Sequence, residues 1–184
     1  MVSMRIGITQ RPYEINGIMH DCLDPKWYTF LAPHELVAIP NIKDIELSPS
    51  IGMIVFTGGE NNKDRTVLET QTFAWAVKRK IPMLGICHGA LFLNYIYGGI
   101  NQEIRGHRNT EHTILIDSQV VTVNSYHDYG LTELGKELHP IARAKDKSIE
   151  AFKHNNLPIW GIMWHPERMK KAILPPGIWR ILDK

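Results

Sequence analysis

One cysteine stands two residues from a glycine on either side, in the run Gly85-Ile86-Cys87-His88-Gly89, where one apolar stretch stops and another begins. Ile81, Met83, Leu84 and Ile86 read as a buried strand, and Leu91, Phe92 and Leu93 as the core face of a helix. Cys87 therefore falls on a strand-to-helix corner, and Gly85 and Gly89 leave the backbone room that such a corner needs. A side chain held on that corner projects above the sheet edge, with the next backbone N–H facing it, which is how an attacking nucleophile is presented. The same residues also describe a buried cysteine in a glycine-rich turn, since free cysteine is among the most buried residue types.

A thiol is mostly protonated at neutral pH, so an attacking cysteine needs a base nearby and a group to orient that base. The chain has nine histidines. His165 ends the apolar run of PIWGIMWHPER, residues 158–168, with Glu167 two residues on. If the extended path continues, both side chains face the same way, and Pro166 fixes the backbone between them and excludes a helix at that point. Alone, the pair reads as a surface contact at a strand end. Together with the corner it supplies nucleophile, base and orienter in the order Cys87, His165, Glu167. The sequence Thr57-Gly58-Gly59 closes another apolar run; such pairs are usually turns, but an acyl transfer needs a second N–H donor beside that of His88, and Gly59 is the candidate.

Around these residues the chain alternates between short apolar runs and helix-like stretches. Strands are expected at 4–9, 36–40, 52–59 and 82–87, with a short helix opened by Asp24 and Pro25 and a longer one over Val67 to Lys80. That alternation predicts an α/β fold with a mainly parallel central sheet flanked by helices and with sites at the carboxyl ends of strands. Residues 112–127 read as two strands about a turn at Asp117 and Ser118. IARAK, IEAFKH and IWGIMWH add further strands, so the second half is richer in antiparallel pieces, and a helix after Pro176 closes the chain. With 184 residues, 43% of them hydrophobic, and no repeat or linker, one domain over 1–184 is expected.

The net charge of +2 is spread along the chain, which offers no footprint for nucleic acid or an anionic membrane. No stretch approaches a membrane span, and the start is too short in apolar residues for a signal peptide, so a cytoplasmic protein acting on a small molecule is expected. A bridge between the two cysteines, Cys22 and Cys87, is not expected in that setting. His88, His107 and His112 fit no familiar zinc spacing and have no thiolate or carboxylate cluster beside them in sequence, so neither a metal nor a cofactor is predicted.

Four ordered motifs, TGG, GICHG, VNSYH at 123–127 and WHPE, resemble the class I glutamine amidotransferase-like superfamily. The start GITQR with VNSYH is similar to its γ-glutamyl hydrolase branch, peptidase family C26. The resemblance implies Cys87 as nucleophile, His165 as base, Glu167 as orienter, and an oxyanion hole from the backbone of Gly59 and His88. It also implies substrate contacts near Gly58, Ser125, Tyr126 and His127. Two positions depart from the pattern. Leu91 stands where the amidotransferases read C-x-G-x-Q, and leucine cannot hydrogen-bond to a glutamyl group; His88 stands where the hydrolase branch often has arginine.

Within that branch, GITQR, GHRNTEH, VNSYHDYG and GIMWHPER together most resemble small hydrolases of bacterial surface-polysaccharide pathways. That resemblance implies a γ-glutamyl-CDP-amidate substrate and a γ-glutamyl thioester on the way to glutamate and cytidine diphosphoramidate. Arg11, Arg105, His107 and Arg108 are then candidates to meet the diphosphate, although most arginines are simply solvated. The competing readings are a γ-glutamyl amine hydrolase, an ammonia-donating glutaminase subunit of a separate synthetase, and a silent binding or regulatory protein.

Overall fold

The apolar runs become strands buried on both faces, and the computed structural model describes residues 3–183 of the chain. Residues 1, 2 and 184, part of the span expected to form one domain, lie outside the described residues. In chain order the first half runs β1 (Arg5–Thr9), β2 (Arg11–Ile15), β3 (Ile18–Cys22), α1 (Lys26–Phe30), β4 (Glu35–Ile39), β5 (Ile51–Phe56), α2 (Lys63–Arg79), β6 (Met83–Ile86) and α3 (His88–Ile96). The second half runs β7 (Ile100–Glu103), β8 (Thr110–Ile116), β9 (Gln119–Ser125), β10 (Tyr129–Glu133), β11 (Leu138–Ala144), β12 (Ile149–His154) and β13 (Ile159–Ile162). A 3-10 turn over Pro166–Arg168 and α4 (Pro176–Leu182) complete it.

An eleven-stranded sheet has the order β4-β1-β5-β6-β13-β12-β11-β8-β9, with β10 and β7 attached beside β12. Pairing is parallel from β4 through β13. It turns antiparallel at β12 and stays so outward. Strand β13 is thus the seam between two kinds of sheet, and His165 follows it by three residues. The α/β class and the antiparallel second half expected from the sequence are both present.

Strands sandwiched between helix layers bury both faces, which is why β1 and β5 are almost unbroken apolar runs. One face packs Ile6, Ile8 and Trp164 against Trp27 of α1, Leu31 just after it, and Ile178 and Leu182 of α4. The other packs Ile54 and Phe56 against Leu68 and Ala76 of α2 and Ala90 and Leu93 of α3. Helix α2 begins four residues before the expected Val67, because Asn62 caps it by accepting from the Arg65 N–H at 2.9 Å. The two-residue turn at Asp117 and Ser118 forms with positive φ at both, as a tight hairpin requires.

Among the described residues no helix is long and apolar enough to cross a membrane. Cys22 and Cys87 are both free thiols.

Candidate active site

The corner at Cys87 is held at φ 51° and ψ −104°, between the end of β6 and the first residue of α3. A positive φ is costly for a residue with a Cβ and persists only where the surroundings over-determine it. Here they do. The Cys87 N–H donates to the Ile162 carbonyl at 2.8 Å, and the Cys87 carbonyl accepts from the Ala90 and Leu91 N–H groups. A Cβ on Gly85 would run into the Gly89 backbone, and one on Gly89 into the Phe56 carbonyl, so no other residue type fits either position without a backbone shift. Burial pushes the Cys87 thiol up to about 12, against the opposing hydrogen bond from the His88 backbone N–H. The resting thiol is therefore protonated, and only a base that takes its proton makes it nucleophilic.

His165 stands next to it. A Cβ built on Gly58 would lie 3.3 Å from His165 Nε2 and 3.4 Å from Cys87 Cβ, so the two side chains converge on the bare face of that glycine. The other ring nitrogen, Nδ1, is 2.7 Å from Glu167 Oε1. The route between them differs from the extended path expected. Strand β13 stops at Ile162, and Pro166 opens the 3-10 turn that swings Glu167 back under the imidazole. Proline is compatible with the first position of a helical turn, where its missing N–H is not needed.

Several contributors to this arrangement were not singled out from the sequence. Asn124, at the end of β9, accepts from the His165 N–H at 2.8 Å and donates to the His165 carbonyl at 2.9 Å. The fully buried Arg65 donates to the carbonyls of Thr57, Gly58 and Glu60, fixing the glycine loop from beneath. Its partner Glu69, also fully buried, is 2.9 Å from Arg65 Nε and 2.9 Å from His88 Nε2, so one carboxylate ties the loop to the corner. Burial disfavours the Glu69 charge, but the His88 hydrogen bond and the Arg65 charge outweigh it and hold the carboxyl below its ordinary range. The i, i+4 spacing of Arg65 and Glu69 was visible, but on a helix it usually marks a solvated pair.

The remaining candidates divide. Arg11 lies with Thr57, Gly58, His165, Glu167 and Arg168 around a small pocket. Gly59, at φ 109°, packs against the Arg11 side chain, and Gly58 is the glycine that meets Cys87 and His165. The Tyr126 ring stands edge-on to His165 with centroids 5.6 Å apart and carries the Arg168 guanidinium 5.0 Å above its centre. Arg11 Nε, Arg168 Nε and Glu167 Oε2 are buried there without hydrogen-bond partners.

Others are elsewhere. Arg108 is exposed and paired with Asp128 at 2.8 Å, and Arg105 is exposed on the same loop. Ser125 is buried and donates to the His107 carbonyl. His107 and His127 are buried in a separate cluster with Glu150. Leu91 lies one turn into α3, half-buried and packed on the apolar face of the sheet.

A strained cysteine corner on a mainly parallel sheet, with histidine and carboxylate brought to it by the turn after the neighbouring strand β13, defines a protein of glutamine amidotransferase type. The family model described as glutamine amidotransferase class-I matches residues 30–173, and the chain belongs to that family. It is 33% identical to the γ-glutamyl-CDP-amidate hydrolase of Campylobacter jejuni, with 90% of each chain covered. It is 28% identical to a glutamine-hydrolyzing GMP synthase subunit of Methanococcus vannielii over 69% of this chain and 70% of that one. A solved structure described as a putative GMP synthase subunit from Thermoplasma acidophilum superposes with a TM-score of 0.75, covering 99% of this chain and 93% of the other at 18% identity.

Proposed function

We propose that the chain is a cysteine-dependent hydrolase of γ-glutamyl amides. The observation that carries this is the convergence of Cys87 and His165 on Gly58, with His165 Nδ1 turned onto Glu167. On attack, the Cys87 proton passes to His165 Nε2 and sulfur bonds to the γ-carbonyl carbon, whose oxygen takes the negative charge. The N–H groups of His88 and Gly59 stabilise that oxygen. Collapse breaks the C–N bond, and the leaving nitrogen takes the proton from His165. Water then attacks the γ-glutamyl thioester, giving its proton to His165, and glutamate leaves as the thiol is restored. Glu167 accepts from Nδ1–H throughout, keeping Nε2 free to move protons.

The substrate proposed is γ-glutamyl-CDP-amidate, cleaved to glutamate and cytidine diphosphoramidate. Similarity to the C. jejuni hydrolase across nine-tenths of both chains supports it. So do two guanidinium groups beside the pocket, on Arg11 and Arg168, suited to a diphosphate: Arg11 Nε is buried without a hydrogen-bond partner, and Arg168 Nε has only a long 3.4 Å contact with Glu167 Oε1. The pair sits beside Glu167, so Arg168 takes the part expected of Arg108.

A second reading, an ammonia-donating subunit of a separate synthetase, draws on the likeness to the M. vannielii GMP synthase subunit. Leu91 weighs against it, since it offers no hydrogen bond to glutamine. Initial rates on γ-glutamyl-CDP-amidate and on γ-glutamyl-γ-aminobutyrate test the substrate. Preference for the nucleotide, lost on replacing Arg11 and Arg168 by alanine, is expected; preference for the amine, or no loss in that variant, overturns the nucleotide assignment.

A further inference from the structure

Outside the cysteine site, four polar side chains converge in the antiparallel half: His107 before β8, His112 in β8, His127 just after β9 and Glu150 in β12. His107, His127 and Glu150 are each less than 5% exposed at the side chain, and His112 lies at the edge of the group. The atoms that face inward, His107 Nδ1, His112 Nε2, His127 Nε2 and Glu150 Oε2, are all buried and all without a hydrogen-bond partner. Orphaned buried polar atoms are uncommon in folded proteins, and four in one place point to something that binds between them.

The tautomers sharpen this. His127 Nδ1 lies 2.9 Å from the Tyr129 carbonyl, which only accepts, so Nδ1 carries the hydrogen and the neutral ring turns an Nε2 lone pair inward. His107 Nε2 lies 2.9 Å from Asp146 Oδ2, so in the neutral ring the inward Nδ1 is a lone pair as well. Both then face a carboxylate, which has lone pairs of its own. Acceptors gathered around acceptors call for positive charge between them, either added protons on the rings or a cation at the centre. Rings held from behind by a carboxylate and a backbone carbonyl are the usual outer support of metal-bound histidine.

Spacing agrees. Ligands about 2.0–2.1 Å from a tetrahedral zinc ion stand roughly 3.3–3.4 Å apart. His107 Nδ1 is 3.3 Å from Glu150 Oε1, and His112 Nε2 and His127 Nε2 are 3.4 and 3.8 Å from Glu150 Oε2. The ligand atoms of His107, His127 and Glu150 all lie within 4.8 Å of one another. We propose that His107, His127 and Glu150 bind one divalent transition-metal ion, with His112, which meets the group through Glu150 Oε2 at 3.4 Å, drawn in as the fourth ligand and zinc the best match to three imidazoles and a carboxylate. With His112 closing the fourth position, protein fills the coordination shell and the site is structural. It fastens β8, β9 and β12 together just beyond Asn124 and Tyr126, the residues that hold and cover His165.

The test is metal binding by the full chain after treatment with a chelator. Zinc titration should give one equivalent bound with a raised Tm, and cobalt(II) should give the intense visible absorption of a tetrahedral nitrogen and oxygen site. Cys87→Ser should leave both unchanged, which separates this site from a metal held by Cys87 and His165. His112→Gln, at the edge where folding is least at risk, should weaken zinc binding at least about 10-fold, and Glu150→Gln should abolish it. If neither metal binds saturably, the cluster is held by protons alone and the proposal fails. It fails equally if binding survives His112→Gln unchanged or is lost with Cys87→Ser.

Discussion

On either side of the end of β9 the chain sets histidine against glutamate to opposite effect. At His165 one ring nitrogen is given to Glu167 at 2.7 Å while the other faces Cys87 across a bare glycine, so the group can move a proton in one direction. At Glu150 three imidazoles point inward at one carboxylate and have no nucleophile beside them. Residue type does not separate the two. What separates them is which ring nitrogen an outer acceptor occupies and what lies opposite the other. Asn124, Tyr126 and His127 run from one grouping to the other along four residues of chain, Asn124 clamping the His165 backbone and His127 entering the second cluster.

Substitutions at Cys87 and His165 have the largest expected effect. Cys87→Ser or His165→Ala should lower turnover of the preferred γ-glutamyl substrate by about 10⁴-fold or more, with circular dichroism and Tm near those of the parent. Appreciable residual turnover would remove the residue from the chemistry and erase the contrast between the two histidine groupings. Glu167→Gln should cost less than His165→Ala, since it weakens the hold on Nδ1 but leaves the base; equal losses would give Glu167 more than an orienting part.

The brace beneath the site is a matter of stability first. Arg65→Ala leaves the Glu69 carboxylate buried without its guanidinium partner, and urea unfolding should register a loss of about 3–5 kcal/mol. A change below about 1 kcal/mol would mean that the buried pair does not hold the loop.

A smaller effect is the pH dependence of Cys87 alkylation. Because burial raises the thiol to about 12, its modification by iodoacetamide in the free protein should climb steadily with pH and show no plateau by about pH 9. A plateau near neutrality would reveal a resting thiolate, with its proton already on His165. Smallest is the gain expected from Leu91→Gln, a rise in glutamine hydrolysis measured by released ammonia; efficient hydrolysis of glutamine by the unaltered chain would contradict the part given to Leu91.

The parallel half was legible because its strands are buried on both faces and carry unbroken apolar runs, and because glycines mark its corners. The β2–β3 hairpin was not, although Asn16 and Gly17 take positive φ as its turn. Tyr13, Ile15, Ile18 and Met19 all stay exposed on it, so no alternation of apolar and polar residues announces two strands. Strands β7 and β10 escaped for a similar reason: they are short, and their mixed sequences INQE and YGLTE carry little apolar pattern.

In the site, Cys87, His165 and Glu167 stood out because each lies in a short motif. The arginines did not sort themselves. Arg108 was a candidate for an anionic leaving group and Arg168 was not, yet Asp128 pairs with the first while the second lies over Tyr126 beside the site. The histidine cluster was hidden most deeply. His107 and His112 are near in sequence, but their carboxylate arrives from β12, which pairs with β11 and not with β8 or β9.

The central claim is that Cys87 forms a γ-glutamyl thioester, and intact-protein mass spectrometry after rapid acid quench tests it most directly. Mixed with γ-glutamyl-CDP-amidate, the chain should show a transient mass increase of one γ-glutamyl group, located on the Cys87 peptide and absent from Cys87→Ser. Substrate turnover with no adduct on Cys87, or an adduct that persists in Cys87→Ser, would contradict the account.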